Sequence, residues 1–449
     1  MGKEKNKNDS GSKTTAPKKR PAPKSKPKPP PTPKSPPPAS ATAEKESPDE
    51  ELQHQQALLD IFSAAFSRTL SSADFTARLQ EVKALLYARD FDAAFGREGN
   101  LDVYAARWSP TRALCYGWVL SEIGAHLEGL IVENGYGGGT GSNVGVRQEG
   151  DDGDDGDERA DAGGPVANES LSASLPSEKA PEAPTRSLRM LSIGGGAAEI
   201  VAFASYLHTC GLHSSTTTTT ETDDTTPTTP TTPTADTDLT GKLTLLDTGP
   251  WGRITQTLQT GLTTAPPPQS AQTDAQPLIQ PTHLHSTLTQ QDILSLSSAQ
   301  LSDLLLPIAG TAQPLLITLL FTLNELYTAA GIGPTTAFLR RLTATVPPGS
   351  LLLVVDSPGS YSKAAVGREA RRYPMQWLLD HTLLDQKKRK DEDKKKLDSA
   401  DDDGGCRWEK LESHDSVWFR LADGLRYPIA LEDMRYQMHL YRACARSTD

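Results

Sequence analysis

The chain has 449 residues, enough for two ordinary domains, but only 36% of them are hydrophobic, and many of its 35 glycines and 34 prolines crowd into a few stretches. Those stretches cannot bury enough apolar surface to offset the entropy lost on ordering, which excludes a fully globular chain and predicts long disordered segments. The net charge of −11 argues against a nucleic-acid partner for the chain as a whole. The charge is segregated along the chain, however, because residues 1–40 carry 11 basic and 2 acidic side chains. A folded part can therefore still present a basic face.

Cysteine spacing and hydropathy exclude several kinds of protein. None of the four cysteines forms a Cys-x-x-Cys pair or lies beside a histidine at ligand spacing, so neither a zinc site nor a disulfide framework is indicated. The sequence has no run of about 18 apolar residues and no apolar signal peptide. We therefore expect no metal, no membrane and an intracellular location.

Composition divides the chain into four segments. Residues 1–50 form a basic, Lys/Pro-rich tail and residues 135–186 an acidic, Gly/Pro-rich linker, and both are predicted to be disordered. Residues 51–134 predict a helical domain, and residues 187–449 a second domain. Low-complexity insertions within the second domain are predicted at about 214–238 and 386–405.

The helical domain is predicted from the spacing of its apolar residues. Leu58, Phe62 and Phe66 recur every four residues and fall on one face of a helix. Farther along, Ser109 suits a helix N-cap and Pro110 the first helical position, so this pair predicts that a new helix begins there.

Strands and helices alternate in the second domain, which predicts a parallel sheet. The predicted strands are 188–193, 242–246, 315–322 and 350–355, followed by 408–421 and 434–442. The last two can form a hairpin on the edge of the sheet. The expected fold class is therefore α/β, with a Rossmann-like sheet.

A glycine-rich turn follows the first of these strands. Gly194, Gly195 and Gly196 lie between that strand and a helix starting near Ala197, where a nucleotide-binding loop would lie. Glycine at this place lets the backbone approach a ligand closely. A tight turn without a ligand is the alternative.

An acidic side chain ends the second strand. Asp247 is placed to accept hydrogen bonds from the two ribose hydroxyls of an adenosine. Once the Thr-rich stretch 214–238 is set aside, about thirty residues separate Asp247 from Gly194, close to the usual strand-helix-strand interval. The alternative is a helix cap ahead of Trp251.

Polar residues also follow the next two strands. Asn324 and Glu325 come just after the strand 315–322, and Asp356 follows the strand 350–355. Ligands of open α/β sheets bind beyond the carboxyl ends of the strands. We expect Asn324 to hold a substrate or cofactor edge and Glu325 to act as a general base. A helix cap for the Asn-Glu pair and a plain turn at Asp356 are the alternatives.

Arginines and aromatic residues are interleaved in the last third of the chain. They are Arg368, Arg371, Arg372, Tyr373 and Trp377, and then Arg426, Tyr427, Arg435 and Tyr436. This mixture suits phosphate contact and base stacking. Solvated helix faces and core aromatic residues would produce the same pattern.

Four segments together resemble a known family. They are Tyr104–Leu114, Ser192–Glu199, Phe321–Tyr327, and Leu425–Pro428 with Met434–Arg442. The chain resembles the fungal 25S ribosomal RNA uridine-N3 methyltransferases over somewhat more than half of its length. The resemblance implies a class I methyltransferase fold, S-adenosylmethionine as the methyl donor, and a uridine of large-subunit ribosomal RNA, free or within a pre-ribosome, as the acceptor.

The resemblance also implies roles for residues of this sequence. Gly194 and Gly196 would meet the amino-acid portion of the cofactor, and Asp247 its ribose. Asn324 and Glu325 would face the site of methyl transfer.

Uridine N3 must lose its proton before or while it attacks the methyl group, so a base is needed. Glu325 is the first candidate and Asp356 the second. We expect a monomer that acts in the nucleus or nucleolus and in the cytoplasm.

Three rival interpretations remain from the sequence. A nicotinamide dehydrogenase would use a similar first βαβ unit, but the sequence contains no Tyr-x-x-x-Lys pair that would support this interpretation. A methyltransferase acting on a protein or a small molecule would keep all the cofactor residues. A non-catalytic ribosome-assembly factor would keep the fold without binding the methyl donor.

Overall fold

The computed structural model describes residues 48–134, 185–216, 239–266, 276–306, 312–359, 361–366, 369–384 and 405–446. These residues belong to one compact unit. The segments predicted to be disordered, namely the tail, the linker and the two insertions, lie almost entirely outside the described residues. The boundary between the two predicted domains lies outside them as well.

Helices occupy the first described segment. They are α1 (Pro48–Ala65), α2 (Ser67–Leu70), α3 (Phe75–Ala88), α4 (Phe91–Phe95), α5 (Glu98–Glu122) and α6 (Gly124–Leu127), followed by a 3-10 turn (Glu128–Leu130) and the short strand β1 (Val132–Asn134). The predicted apolar face is buried, because Leu58, Phe62 and Phe66 are each at most 3% exposed. Leu58 and Phe62 belong to the same buried cluster as Leu188 and Phe203, so this segment shares its core with the rest of the unit.

One helix begins elsewhere than the sequence predicts. Ser109 and Pro110 do not start a helix but lie within α5. Pro110 has no N–H, so the carbonyl of Ala106, four residues earlier, lacks its helical donor. The hydroxyl of Tyr427 donates a hydrogen bond to that carbonyl at 2.9 Å. A distant side chain thus satisfies the carbonyl where the helix passes through the proline.

The second segment contains the predicted alternation of strands and helices. In chain order it comprises β2 (Thr185–Ile193), α7 (Ala197–Thr216), β3 (Leu239–Asp247), α8 (Gly252–Thr263), β4 (Leu284–Gln290), α9 (Ser298–Leu305), β5 (Leu316–Leu320), α10 (Leu323–Ala329), α11 (Ile332–Thr345), β6 (Leu351–Asp356), β7 (Tyr361–Val366), β8 (Glu369–Pro374), α12 (Met375–Leu383), β9 (Arg407–Phe419) and β10 (Met434–Cys444).

The main sheet is Rossmann-like, with the strand order β4-β3-β2-β5-β6-β10-β9, and β1 pairs with β2 beside it. Strands β7 and β8 pair with each other in a separate sheet. Strands β2 to β6 are parallel, whereas β10 is antiparallel to both β6 and β9. The predicted α/β fold class and the hairpin at the sheet edge are confirmed. Strand β4 was not predicted, because this edge strand is only partly buried and carries polar side chains at most positions.

Two hydrophobic clusters cover the two faces of the sheet. One contains Phe203 of α7, Leu258 of α8 and Leu120 of α5, and the other contains Phe338 of α11 and Leu379 of α12. Neighbouring residues of each strand point to opposite clusters, as the pleat requires. No helix in the described ranges is long and apolar enough to cross a membrane.

The parallel strands end at a common edge, which positions the polar residues that follow them. Ile193 of β2 pairs with Leu246 of β3 and Leu319 of β5, and Leu320 pairs with Val355 of β6. The glycine turn, Asp247, the start of α10 and Asp356 therefore lie along one rim of the sheet.

Candidate active site

A cavity of about 540 Å³ opens at this rim. Gly194, Gly196 and Asp247 line it, as does Glu325 from the first turn of α10. Cavities that hold small molecules typically measure about 300–1,000 Å³. The structure therefore brings three of the four predicted cofactor residues to one site of suitable size.

The three glycines of the turn are closely packed by protein atoms. Gly194 has a positive φ of 71°, and a Cβ atom there would overlap the side chain of Thr322. A Cβ at Gly196 would lie 2.7 Å from the ring of Trp251, and one at Gly195 would lie 2.5 Å from the Ser192 hydroxyl. Gly195 is buried and faces Ser192 rather than the cavity. Local packing thus requires glycine at all three positions, in addition to any ligand.

Glu199, which the sequence analysis did not single out, anchors the turn from the start of α7. Its Oε2 accepts a hydrogen bond from the Gly196 N–H at 2.6 Å, and the residue is 5% exposed. Burial raises the pKa of its carboxyl group to about 7, although the Gly196 N–H and the charge of Arg112 oppose the shift. An acid in the first turn of a helix is the signal that would have identified it.

Asp247 has two roles in this geometry. Its Oδ1 accepts a hydrogen bond from the Gly249 N–H at 2.6 Å, which closes the turn after β3. The same side chain lines the cavity. Burial raises the pKa of its carboxyl group to about 6, although hydrogen bonds from backbone N–H groups of the turn act in the opposite direction. This bond lies in the turn before α8 (Gly252–Thr263), whose N-cap is Trp251, so Asp247 does not cap the helix, and its ribose contact stays a prediction.

A second cavity of about 410 Å³ adjoins the first. Its walls are aromatic and come largely from the helical segment. The rings are those of Phe91, Phe95, Tyr104, Trp108 and Phe321. Exposed Lys83 and Arg89 also line it. None of these side chains was predicted from the sequence to line a site, because no local pattern shows that α3, α4 and α5 fold over the rim of the sheet.

Glu325 lies where the two cavities meet, because it lines both. Burial raises the pKa of its carboxyl group to about 7, and the charges of Asp247 and Asp356 act in the same direction, while Arg112 lowers it. Near neutral pH both protonation states are therefore populated. This property suits a group that accepts and releases a proton.

Asp356 organises the start of α10. It is 2% exposed, and its two carboxylate oxygens accept hydrogen bonds from the backbone N–H of Asn324 at 3.0 Å and of Ser357 at 2.7 Å. Asp356 and Asn324 both line the second cavity. The side-chain oxygen of Asn324 is buried and has no hydrogen-bond partner among the described residues. A ligand in this cavity could supply that partner.

Arg112 of α5 also lines both cavities. Its guanidinium donates a hydrogen bond to the Tyr104 hydroxyl and lies 5.1 Å from the centre of the Phe321 ring and 5.3 Å from that of Tyr104. In the described part of the chain it forms no ion pair with a carboxylate, unlike Arg107 one turn earlier, which pairs with Glu432 at 2.6 Å.

The described arginines and aromatic residues of the last third of the chain are spread over several places. Tyr436 is buried, and Tyr427 bonds to α5. Trp377 and Trp418 are exposed, the first stacked on Tyr373. Arg435 lies 5.7 Å from the ring of Trp418, and the backbone of Arg426 binds Gln56. Arg368 and the side chains of Arg371 and Arg372 lie outside what the structure describes.

Comparison with known proteins gives a family and a relative. A family model described as "Putative SAM-dependent methyltransferase" matches residues 62–442. The 25S rRNA (uridine(2843)-N(3))-methyltransferase of Saccharomyces cerevisiae is 26% identical over 402 residues, which cover 86% of this chain and 85% of the yeast protein.

Solved methyltransferase structures overlap the chain only loosely. An O-methyltransferase family protein from Burkholderia thailandensis shares 10% identity over 84% of this chain and 74% of its own, with a TM-score of 0.28. NodS from Bradyrhizobium japonicum in complex with S-adenosylhomocysteine shares 12% identity over 57% and 78%, with a TM-score of 0.24. The family model covers most of the helical segment, the sheet and the residues that line both cavities, and the chain belongs to the S-adenosylmethionine-dependent methyltransferases.

Proposed function

We propose that this methyltransferase methylates N3 of a uridine in large-subunit (25S) ribosomal RNA. The observation that carries the proposal is the position of Glu325, a carboxyl group with a pKa of about 7 where the cavity at the glycine turn meets an aromatic-lined one. Uridine N3 carries a weakly acidic proton, so its methylation needs a base at this point. The reaction named for the yeast relative supports the choice of acceptor.

The first cavity fits the methyl donor. Gly194 and Gly196 would face the amino-acid portion of S-adenosylmethionine, and the carboxylate of Asp247 would accept hydrogen bonds from its ribose. Ile293 and Leu294 add apolar walls on the side of β4. When bound, S-adenosylmethionine supplies an electrophilic methyl group.

The second cavity fits a single base taken out of its stack. The rings of Phe91, Trp108 and Phe321 offer faces for stacking, and the exposed cations of Lys83 and Arg89 can meet the flanking phosphates. The base pair must break before N3 of the uridine becomes accessible. An unpaired or flipped uridine is therefore the expected form of the substrate.

Glu325 would act as the general base. Its carboxylate would accept the N3 proton as N3 bonds to the methyl carbon and the bond from that carbon to the donor sulfur breaks, and solvent would then remove the proton from the carboxyl group. General-base catalysis of this kind contributes typically about 10²- to 10⁴-fold. Asp356 holds the start of α10 through the Asn324 N–H and thereby positions Glu325.

The proposal has consequences for partners and location. The substrate is ribosomal RNA, free or within a pre-ribosome, and the enzyme acts as a monomer in the nucleus or nucleolus and in the cytoplasm. No contact in the described part of the chain favours a protein or small-molecule acceptor over RNA.

Nucleoside mass spectrometry tests the proposal. The 25S ribosomal RNA of cells with and without the gene is digested and its 3-methyluridine is quantified. We expect deletion to remove one such residue, and expression of the wild-type chain to restore it. Glu325→Gln should not restore it, whereas Glu133→Gln, an exposed carboxylate on β1, should. An unchanged profile on deletion would point to another acceptor.

A further inference from the structure

Arg112 lies at the junction of the two cavities, partly buried and, among the described residues, without a carboxylate partner. Its guanidinium contacts the Tyr104 hydroxyl and the faces of two rings. Removing a charge from water is costly unless an opposite charge lies nearby. Within the described residues no carboxylate pairs with it, so an anionic group in the cavities would complete its surroundings.

The neighbouring acids act on Arg112 only at longer range. Its positive charge lowers the pKa of Glu325 and also that of Glu199. Both carboxyl groups still have pKa values of about 7, because burial outweighs the attraction. Near neutral pH they are therefore partly protonated and neutralise Arg112 incompletely.

The acceptor can supply the missing charge. An imide such as uracil loses its N3 proton during methylation, and the negative charge spreads over N3 and the two carbonyl oxygens. A base with a free N3 lone pair, such as cytosine, instead becomes a cation when N3 is methylated. A fixed positive charge stabilises the first kind of transition state and opposes the second.

We propose that Arg112 is a catalytic residue that stabilises the anionic form of the acceptor base and thereby selects uracil over cytosine. This inference rests on the proposed function. A guanidinium suits this task because it has five N–H donors, no acceptor and a permanent positive charge, so it can bond the carbonyl oxygens and the anionic N3 of deprotonated uracil. The ring of Phe321 holds it in place on one side.

Arg112→Gln tests this role in the purified full-length chain. A 25S ribosomal RNA transcript serves as the substrate and S-adenosylhomocysteine as the probe for the donor site. We expect kcat to fall about 10²- to 10³-fold, as for the loss of a group that stabilises developing negative charge. The affinity for S-adenosylhomocysteine, measured by calorimetry, should stay within about 3-fold, and the pH at which the rate is half-maximal should rise.

Substituting the acceptor separates this role from a structural one. A transcript with 5-fluorouridine carries a more acidic N3, so it needs less stabilisation of the anion. The loss of kcat in Arg112→Gln, relative to the wild-type chain, should be smaller on this RNA than on the uridine transcript. Arg112→Lys keeps the charge, so it should lose less activity than Arg112→Gln on either RNA. Arg107→Gln is the matched control, because this buried arginine of α5 pairs with Glu432. It should lower stability without changing the response to 5-fluorouridine.

The outcomes are distinct. A large loss of S-adenosylhomocysteine affinity, with the same deficit on both transcripts, would assign Arg112 to the carboxylate of the methyl donor and overturn the inference. Wild-type rates in Arg112→Gln would also overturn it while leaving the proposed function intact. If the wild-type chain forms no 3-methyluridine, the proposed function fails, and the inference with it. If Arg112→Gln does not fold, Arg112→Lys with the two transcripts decides.

Discussion

The hydroxyl of Tyr427 donates a hydrogen bond to the backbone carbonyl of Ala106 at 2.9 Å. Ala106 lies four residues before Pro110, so its carbonyl is the one that the proline leaves without a donor inside α5. The loop between β9 and β10 thus fastens to the helix that carries Arg112 and Tyr104. This contact links two segments that are more than 300 residues apart in the chain.

Tyr427→Phe should lower the free energy of unfolding by about 1–3 kcal/mol, since the Ala106 carbonyl would be left without a partner. Urea denaturation measures the change. Pro110→Ala restores an N–H to the helix, so in that background the same Tyr427→Phe change should cost less. Additive effects of the two substitutions would show that the hydroxyl does not compensate for the proline.

Gly194→Ala should destabilise the protein by more than 1 kcal/mol and weaken S-adenosylhomocysteine binding. Two causes add, because φ is positive at this residue and a Cβ atom would overlap Thr322. Thermal unfolding and calorimetry measure the two effects. Gly333→Ala in α11 is the control, since no atom lies within 4 Å of its added Cβ, and it should be neutral or slightly stabilising. Equal behaviour of the two variants would contradict this explanation.

Glu199 should make stability depend on pH. Its pKa is raised from 4.5 to about 7, so the folded state holds the proton more tightly than the unfolded state does. The resulting stability is fully present below about pH 4.5 and is lost as pH rises through 7, by on the order of 3 kcal/mol. In Glu199→Gln, which keeps an acceptor for the Gly196 N–H, this decline should disappear.

Urea denaturation at pH 5, 6, 7 and 8 compares the two proteins. Other carboxyl groups with raised pKa values, such as those of Asp247 and Glu325, titrate in both, so the difference between the curves isolates Glu199. Parallel curves for wild type and variant would rule out this contribution.

Glu325 should set the pH dependence of methyl transfer. A base must be deprotonated to act, and the pKa of this carboxyl group is about 7. The single-turnover rate should therefore rise as pH increases through 7, with a value at pH 6 roughly tenfold below that at pH 8. The residual rate of Glu325→Gln should lack this inflection. A wild-type rate that is constant between pH 5.5 and 8.5 would exclude Glu325 as the base.

Several features of the fold could be predicted because they depend on local sequence. The apolar runs that became β5 and β6 are buried at every position of the parallel sheet, so they appear as continuous hydrophobic segments. In β3 the buried residues are mostly apolar and the partly buried or exposed ones between them are polar. Strand β4 was not predicted, because a partly exposed edge strand does not require a continuous apolar segment. The helix start predicted at Pro110 was wrong. A proline inside a helix leaves one carbonyl without its N–H donor, and here the distant Tyr427 hydroxyl supplies the donor, so the helix continues through the proline.

The sequence by itself determined the α/β sheet, the glycine turn and the set of polar residues at the ends of the strands. These follow from hydrophobic periodicity and turn chemistry, which act over a few residues. Only the tertiary structure decided that the helical segment walls the second cavity and that Arg112 and Glu325 line the same two cavities. It also decided that buried Glu199 and Glu325 have pKa values near 7. Burial and charge at a site depend on which distant segments pack there, and no spacing along the chain records that.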